Sequence, residues 1–388
     1  MRLGDCCKTN LHTYSDKEKW SLIRYLDTGS ITEGRIDEIQ TLYPGVDKIP
    51  SRARRKASVG DILFSTVRPN QKHYGIIEAG TENLLVSTGF TVVTVDTTIA
   101  DPYFIYYYLT QSSVIESLQA IAEQSTSTYP SIKPSDIEDI ELDLPELETQ
   151  KKIGSTLRML DRKIALNEEI NDNLYEMVNA YYISLFKGDE GEMTTVGNYA
   201  ERIYSGGTPT TSNADYWNGT FGWFSSGETR KRFVISTEKT ITQAGIDNSS
   251  TKLATKYDIV MASAGQGFTR GQTSMLFVDT YVNQSVIVIH SERNILPYLF
   301  WNLANRYDEL RAISDSSSIR GSLTTKMIAA FEISLANEQS LQAFADFAWS
   351  VIPQIENNLL ENERLTALRD SLLPKLMSGE IDVSDVQL

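Results

Sequence analysis

Cysteine and histidine are scarce in this 388-residue sequence, with two of the first and three of the second. Cys6 and Cys7 are adjacent, so they form no ordinary disulfide with each other, and no further soft ligands stand at zinc-finger spacing. His12, His73 and His290 lie far apart, which excludes an H-E-x-x-H metal site and offers no local Ser-His-Asp set. A Walker A lysine motif is also missing, so nothing here should drive ATP-dependent translocation. No catalytic residue, metal or cofactor is expected. No apolar run approaches the roughly 20 residues that a membrane helix needs, and "MRLGDCCKTN" lacks the apolar stretch of a secretory signal. The expected compartment is the cytoplasm, where the sequons at Asn218, Asn248 and Asn283 carry no glycosylation meaning.

Positive charge is in deficit as well: 36 Lys and Arg against 51 Asp and Glu give a net charge of −15. That total counts against a binder of polyanions, which draws on phosphate neutralisation. The distribution says more. Residues 48–72 collect Lys48, Arg52, Arg54, Arg55, Lys56, Arg68 and Lys72 with Asp61 as the one acid. Residues 136–148 hold Asp136, Glu138, Asp139, Glu141, Asp143, Glu146 and Glu148. A chain basic on one surface and acidic on another can bind DNA and a protein partner at once.

Self-comparison reveals a duplication. Steps of four and three alternate through Ile153, Leu157, Leu160, Ile164, Asn167, Asn171, Leu174, Val178, Tyr181 and Leu185. The same steps run through Phe344, Ala348, Val351, Ile355, Asn358, Asn362, Leu365, Arg369, Leu372 and Leu376, each 191 residues later. Both series describe a long amphipathic helix with two asparagines in its apolar seam. "SIKPSDIEDIELDLP" from 131 and "SLTTKMIAAFEISLA" from 322 precede them at the same offset. Upstream the match is looser: "GDILFSTVRP" resembles "YDIVMASAGQ", "VSTGFTVVTVD" resembles "VNQSVIVIHSE", and "DPYFIYYYL" resembles "LPYLFWNLA". The order is globule, helix, globule, helix.

Each helix should span about 40 residues, or roughly 60 Å at 1.5 Å per residue. Two such seams in one chain pair most simply as antiparallel helices with a pseudo-two-fold axis. That pairing puts Asn167 near Asn362 and Asn171 near Asn358, where polar seam residues fix register and orientation at some cost in stability. The globules alternate β-branched and aromatic runs with Gly and Asn turns and include short helices, which predicts mixed α/β domains. The expected boundaries are 1–144 and 189–335 for the globular domains, 145–188 and 336–380 for the helices, and 381–388 for a tail.

Several stretches resemble the specificity subunit of type I restriction-modification systems: "IRYLDTGSITEGRIDEIQ", "STSTYPSIKPSDIEDIELDLPELETQKKIGSTLRMLDRKI", "SGGTPTTSNADYWNGTFGWFSSGE", "ISTEKTITQAGIDNSSTKL", "TRGQTSMLFVDTYVNQS" and "LRDSLLPKLMSGEIDV". The resemblance covers nearly the whole chain. It implies two target recognition domains, each for one half of a bipartite DNA sequence, separated by two long antiparallel coiled-coil helices that set the unread gap. It also implies two methyltransferase (modification) subunits and translocating restriction subunits as partners, with methyl transfer, nuclease and motor activities residing in those partners. The acidic segment 136–148 and the exposed helix faces are the candidate contacts for them.

Base edges are recognised by Arg, Asn, Gln, Ser and Thr, whereas phosphate contacts position the protein. In the first domain Arg52, Arg54, Arg55 and Lys56 are the candidate phosphate contacts, and Thr66, Arg68, Asn70, Gln71 and Lys72 the candidate base contacts. In the second, Arg230, Lys231 and Arg232 form a basic knot, and Ser263, Gln266, Thr269, Arg270 and Gln272 occupy the matching loop. Gly265, Gly267 and Gly271 in that loop do not spell G-x-G-x-x-G, which favours a turn or a loop approaching DNA over a cofactor site. Gly206, Gly207, Thr208, Tyr216 and Trp217 are weaker candidates for the DNA backbone. A duplicated coiled-coil scaffold that binds proteins and no specific DNA is the alternative. A module of a single-chain restriction-methyltransferase is disfavoured, since no methyltransferase segment precedes these domains.

Overall fold

The structure is a computed structural model, which describes all residues except 126–128, 187–191, 266–267, 318–320 and 384–388. The chain forms two compact units, Met1–Lys163 with Arg364–Leu388, and Ile164–Glu363. Two 40-residue helices, Leu147–Phe186 and Glu338–Met377, contribute residues to both.

The first unit contains two four-stranded sheets. One is antiparallel, in the order Cys7–Thr9, Phe90–Val95, Ile62–Ser65, Tyr74–Ile76. In the other, Gln40–Leu42, Ile23–Leu26, Leu84–Ser87 and Ala53–Lys56 lie side by side, and the central pair is parallel. Ile62–Ser65 and Leu84–Ser87 are buried at every residue, which is why they read as unbroken runs rather than as alternation.

The second unit repeats this plan. Its larger sheet runs Arg202–Ser205, Val286–His290, Ile259–Ala262, Thr273–Leu276, Phe233–Val234. Its smaller sheet runs Lys239–Ile241, Trp217–Phe224, Thr280–Val282, Lys252–Ala254, again with a parallel central pair. The loosely matched sequence stretches therefore occupy equivalent strands and, for the third pair, equivalent helices, Pro102–Leu109 and Leu296–Asn305. An aspartate opens each central strand in the same way. Asp61 accepts from the Ser58 N–H at 2.7 Å, and Asp258 accepts from the Thr255 N–H at 2.8 Å.

The long helices begin 191 residues apart, at Leu147 and Glu338, and end 191 apart, at Phe186 and Met377. In the first unit the buried Gln150 donates to Pro145 O at 2.8 Å and accepts from the Asp101 N–H at 2.9 Å, fastening the helix start to the neighbouring helix Pro102–Leu109. Gly154 allows that approach, because a Cβ there would lie 2.6 Å from Asp101 Oδ1 and 3.0 Å from Phe104 N. Ile153 and Leu157 then share a core with Leu376, Phe104 and Ile105. Asp161 and Arg369 pair at 2.7 Å, and Tyr107 Oη donates to Asp161 at 2.6 Å. Burial works against the Arg369 charge, but Asp161 and Asp370 outweigh it and hold the guanidinium above its ordinary pKa.

In the second unit the seam is aromatic. Trp301 stacks on Tyr175 at 5.7 Å and meets Phe344 edge-on at 5.8 Å, with Val178 and Ile352 fully buried in the same core. The four seam asparagines lie in this unit. Asn167, 1% exposed, donates to Asn362 Oδ1 at 2.8 Å, and Asn358 donates to Asn171 Oδ1 at 2.8 Å. Asn362 donates to Ile164 O at 3.2 Å, and Asn171 to Ile355 O at 3.4 Å. Numbers rise along one helix as they fall along the other, so the helices run antiparallel here. Each bond also has a counterpart in which every residue is exchanged for the one 191 positions away.

Removing the Asn167 amide leaves Asn362 Oδ1 without the donor it has in the seam, so Asn167→Ala should destabilise the chain by about 1–3 kcal/mol in urea unfolding. In a double-mutant cycle with Asn362→Ala, the coupling should be about 1 kcal/mol. Additive losses would show that the two amides act independently.

Candidate nucleic-acid interface

The basic stretch of the first unit forms the edge strand Ala53–Lys56, preceded by exposed Arg52. Its cations are not equivalent. Lys56 is paired with Glu18, whose carboxyl it holds below the usual range, and it lies 5.1 Å over the Trp20 ring. Arg55 is half-buried with Nη1 lacking a hydrogen-bond partner, and burial lowers its pKa. Arg54 is half-buried, which leaves Arg52 as the most open of the four.

The candidate loop after strand Ile62–Ser65 is held rigidly. Arg68 and Lys72 both adopt left-handed backbone, with φ of 47° and 57°, on either side of the single turn Pro69–Gln71. The Arg68 N–H donates to Pro130 O at 3.0 Å, and Pro69 is buried. Thr66 spends its hydroxyl on Gly89 O at 2.9 Å, and Lys72 pairs with Glu33. Arg68, Asn70 and Gln71 stay exposed.

Arg52, Arg68 and Gln71 come together around one depression of about 410 Å³, with Asp27, Thr28, His73 and Tyr129. The Arg68 guanidinium lies 5.4 Å over the Tyr129 ring. His73 Nδ1 is 2.7 Å from Ile31 O. A carbonyl only accepts, so Nδ1 donates to it. The depression thus offers two cations, an amide, a threonine hydroxyl and an imidazole beside the Asp27 carboxylate, donors for phosphates together with donors and acceptors for base edges.

The second unit distributes its candidates differently. Arg230 and Lys231 are exposed, but Arg232 pairs with Asp172 of the long helix at 3.0 Å and lies 4.4 Å over Tyr175, so it docks the globule on the helix. Arg270 is 5% exposed, bonded to Gly321 O at 3.1 Å and ion-paired with Asp315. These bonds make Arg270 an anchor for the loop in which a base contact was expected. Ser263 is buried, with its N–H on Ser285 O and its carbonyl accepting from Leu323. Thr269 and Gln272 are half-buried, and the Gln272 side-chain oxygen Oε1 has no hydrogen-bond partner. Gln266 and Gly267 lie outside the described residues.

Gly206 serves packing. A Cβ there would sit 1.9 Å from Val282 O, so strand Arg202–Ser205 can continue past strand Thr280–Val282 with glycine alone. Trp217 is likewise occupied, donating to Thr210 O at 3.2 Å and meeting Trp223 edge-on at 4.9 Å. In the acidic segment, Asp136 accepts from the Lys133 N–H, Glu138 from Thr9, and Asp139 pairs with Arg2, so part of that charge ties the N-terminus down. Among the described residues no cluster of His, Cys, Asp and Glu could hold a metal ion, and no helix is long and apolar enough to cross a membrane.

The family model for the type I restriction modification DNA specificity domain matches residues 48–176 and 193–363. The chain is 22% identical to the type I restriction enzyme HindI specificity subunit of Haemophilus influenzae, over 98% of each. It is 29% identical to the EcoR124I/EcoR124II specificity subunit of Escherichia coli, over 49% of each. In fold it is similar to the type I S subunit of M. genitalium, with a TM-score of 0.60 over 97% of this chain and 95% of that one at 16% identity. The chain therefore belongs to the type I restriction-modification DNA specificity family, whose members are non-catalytic DNA-recognition components working in complex with methyltransferase and restriction subunits.

Local sequence did not single out Thr28, His73 or Tyr129 as lining this depression. Arg270→Met should lower the unfolding free energy by about 1–3 kcal/mol, through loss of charged hydrogen bonds. Exposed Lys231→Ala should stay within about 0.5 kcal/mol of the unsubstituted chain. Urea titration of both variants checks the contrast.

Proposed function

We propose that this chain reads a bipartite DNA target, one half-site per unit, with Arg52, Arg54, Arg230 and Lys231 on phosphates and Arg68, Asn70, Gln71, Thr269 and Gln272 toward base edges. The observation that carries this is the depression around Arg52, Arg68 and Gln71 in a fold that the second unit repeats. The division of roles follows place in the chain: the cations of the two basic stretches serve position, and the polar groups on the loops after the central strands serve discrimination. Ser263 and Arg270 shape the second loop from inside, and Asn167, Asn171, Asn358 and Asn362 fix the register of the helices.

The recognition domains correspond to residues 1–144 and 189–335, and the helices at 145–188 and 336–380 act as the ruler for the unread gap, much as dimer geometry sets half-site spacing in other DNA readers. Two methyltransferase subunits dock on the exposed helix faces and the free part of the acidic segment, and restriction subunits complete the assembly. The net charge of −15 makes DNA binding by the lone chain weak until those partners add basic surface.

Arg52→Ala should weaken DNA binding of the assembled methyltransferase similarly on all sequences and reduce the salt slope by about 1, whereas Arg68→Ala should alter preference at one position by about 1–3 kcal/mol. Fluorescence anisotropy across a salt series checks both, and unchanged affinity and slope in both variants would remove the assignment. Inserting one helical turn in each long helix should change the length of the gap in the methylated sites, read by sequencing methylated adenines. An unchanged gap would remove the ruler.

A further inference from the structure

Phe268 is 84% exposed on the loop that follows strand Ile259–Ala262. Its backbone is nevertheless held. Tyr307 Oη donates to Phe268 O at 2.7 Å, the Gln272 N–H donates to Thr269 O at 2.8 Å, and the Gly271 N–H donates to Ala262 O at 2.9 Å. Two residues on, buried Arg270 fastens the loop to Gly321 and Asp315. A phenylalanine ring left in water adds nothing to the core, and here the surrounding bonds fix its backbone while leaving the ring outside.

We propose that Phe268 makes an apolar contact with the 5-methyl group of a thymine in the half-site read by the second unit. This rests on the assignment of that loop to DNA. In the major groove the thymine methyl is the one apolar feature that distinguishes a base pair, and phenylalanine is among the side chains that meet it. The first unit's matching loop exposes Arg68, Asn70 and Gln71, all hydrogen-bonding groups, so Phe268 adds an apolar contact that the first loop does not offer.

The test uses the assembled methyltransferase and a duplex carrying its recognised sequence, defined by sequencing methylated adenines, with each thymine in both half-sites replaced in turn by uracil. Uracil lacks only the methyl group. One replacement should weaken binding about fourfold, the worth of one buried methyl. The complex containing Phe268→Ala should bind the thymine and uracil duplexes equally at that position. Because the side chain is exposed, the variant should fold as the parent does, checked by its urea midpoint.

A recognised sequence without a thymine in either half-site, a uracil series without effect, or a uracil effect that persists in Phe268→Ala overturns the proposal. So does a Phe268→Ala loss that is uniform on all duplexes, which would indicate a wedge between base steps. In each of these cases sequence-specific binding itself survives, and with it the DNA-reading assignment of the chain. Absence of any sequence-specific binding would remove both.

Discussion

A primary amide buried in a helical seam must find a partner or forfeit the hydration it gave up, and that constraint governs the helix pair. Asn167 and Asn171 are more deeply buried than their seam neighbours Ile164 and Leu174, so the middle of the pair is held by amides where leucine would ordinarily sit. Apolar layers slide by a heptad at modest cost. Four amides that bond each other and the carbonyls of Ile164 and Ile355 do not, because a shift strands several polar groups at once.

The globules show how much a duplicated fold can change while keeping its plan. Strand order and the parallel central pair of the smaller sheet are the same in both units, and an aspartate caps the same turn before each central strand. The surroundings have diverged. Tyr106 of the first unit corresponds to Trp301 of the second, and an ion pair, Asp161 with Arg369, stands where the second unit has Ile352 and Val178. The side of the first unit near that ion pair holds a cavity of about 310 Å³ bordered by Tyr74, Tyr106 and Tyr107, whereas the second unit is filled by Trp301 and its aromatic neighbours.

Much of this was legible in the residues. The 3.5-residue period and the constant offset located both helices and placed the asparagines in the seam, because helix formation is local and its period survives in sequence. Equivalent strands could be matched in order but not in topology, since pairing joins residues such as Tyr25 and Leu85, which lie far apart in the chain. The site was less legible for the same reason. Counting cations grouped Arg52 with Lys56 and Arg230 with Arg232, yet Glu18 neutralises Lys56 and Asp172 engages Arg232, and neither partner is a sequence neighbour. Arg270 looked like a reader because it follows a strand in a polar loop, and its ion pair with Asp315 on the helix Tyr307–Ser317 joins residues too far apart in the chain to be paired from sequence.

The departure of one layer from the repeat bears on what the helices accept as mates. The amide bonds are indifferent to origin: each is matched by its image 191 residues on, so two first helices, or two second helices, could form the same set. The layer containing Asp161 and Arg369 lacks that indifference. Pairing two first helices would set Asp161 against Val178, and pairing two second helices would set Arg369 against Ile352, so each half-buried charge would face hydrocarbon in place of its cross-helix partner. Polar bonding thus fixes alignment, and one half-buried ion pair, absent from the equivalent layer, suits the two unlike helices to each other.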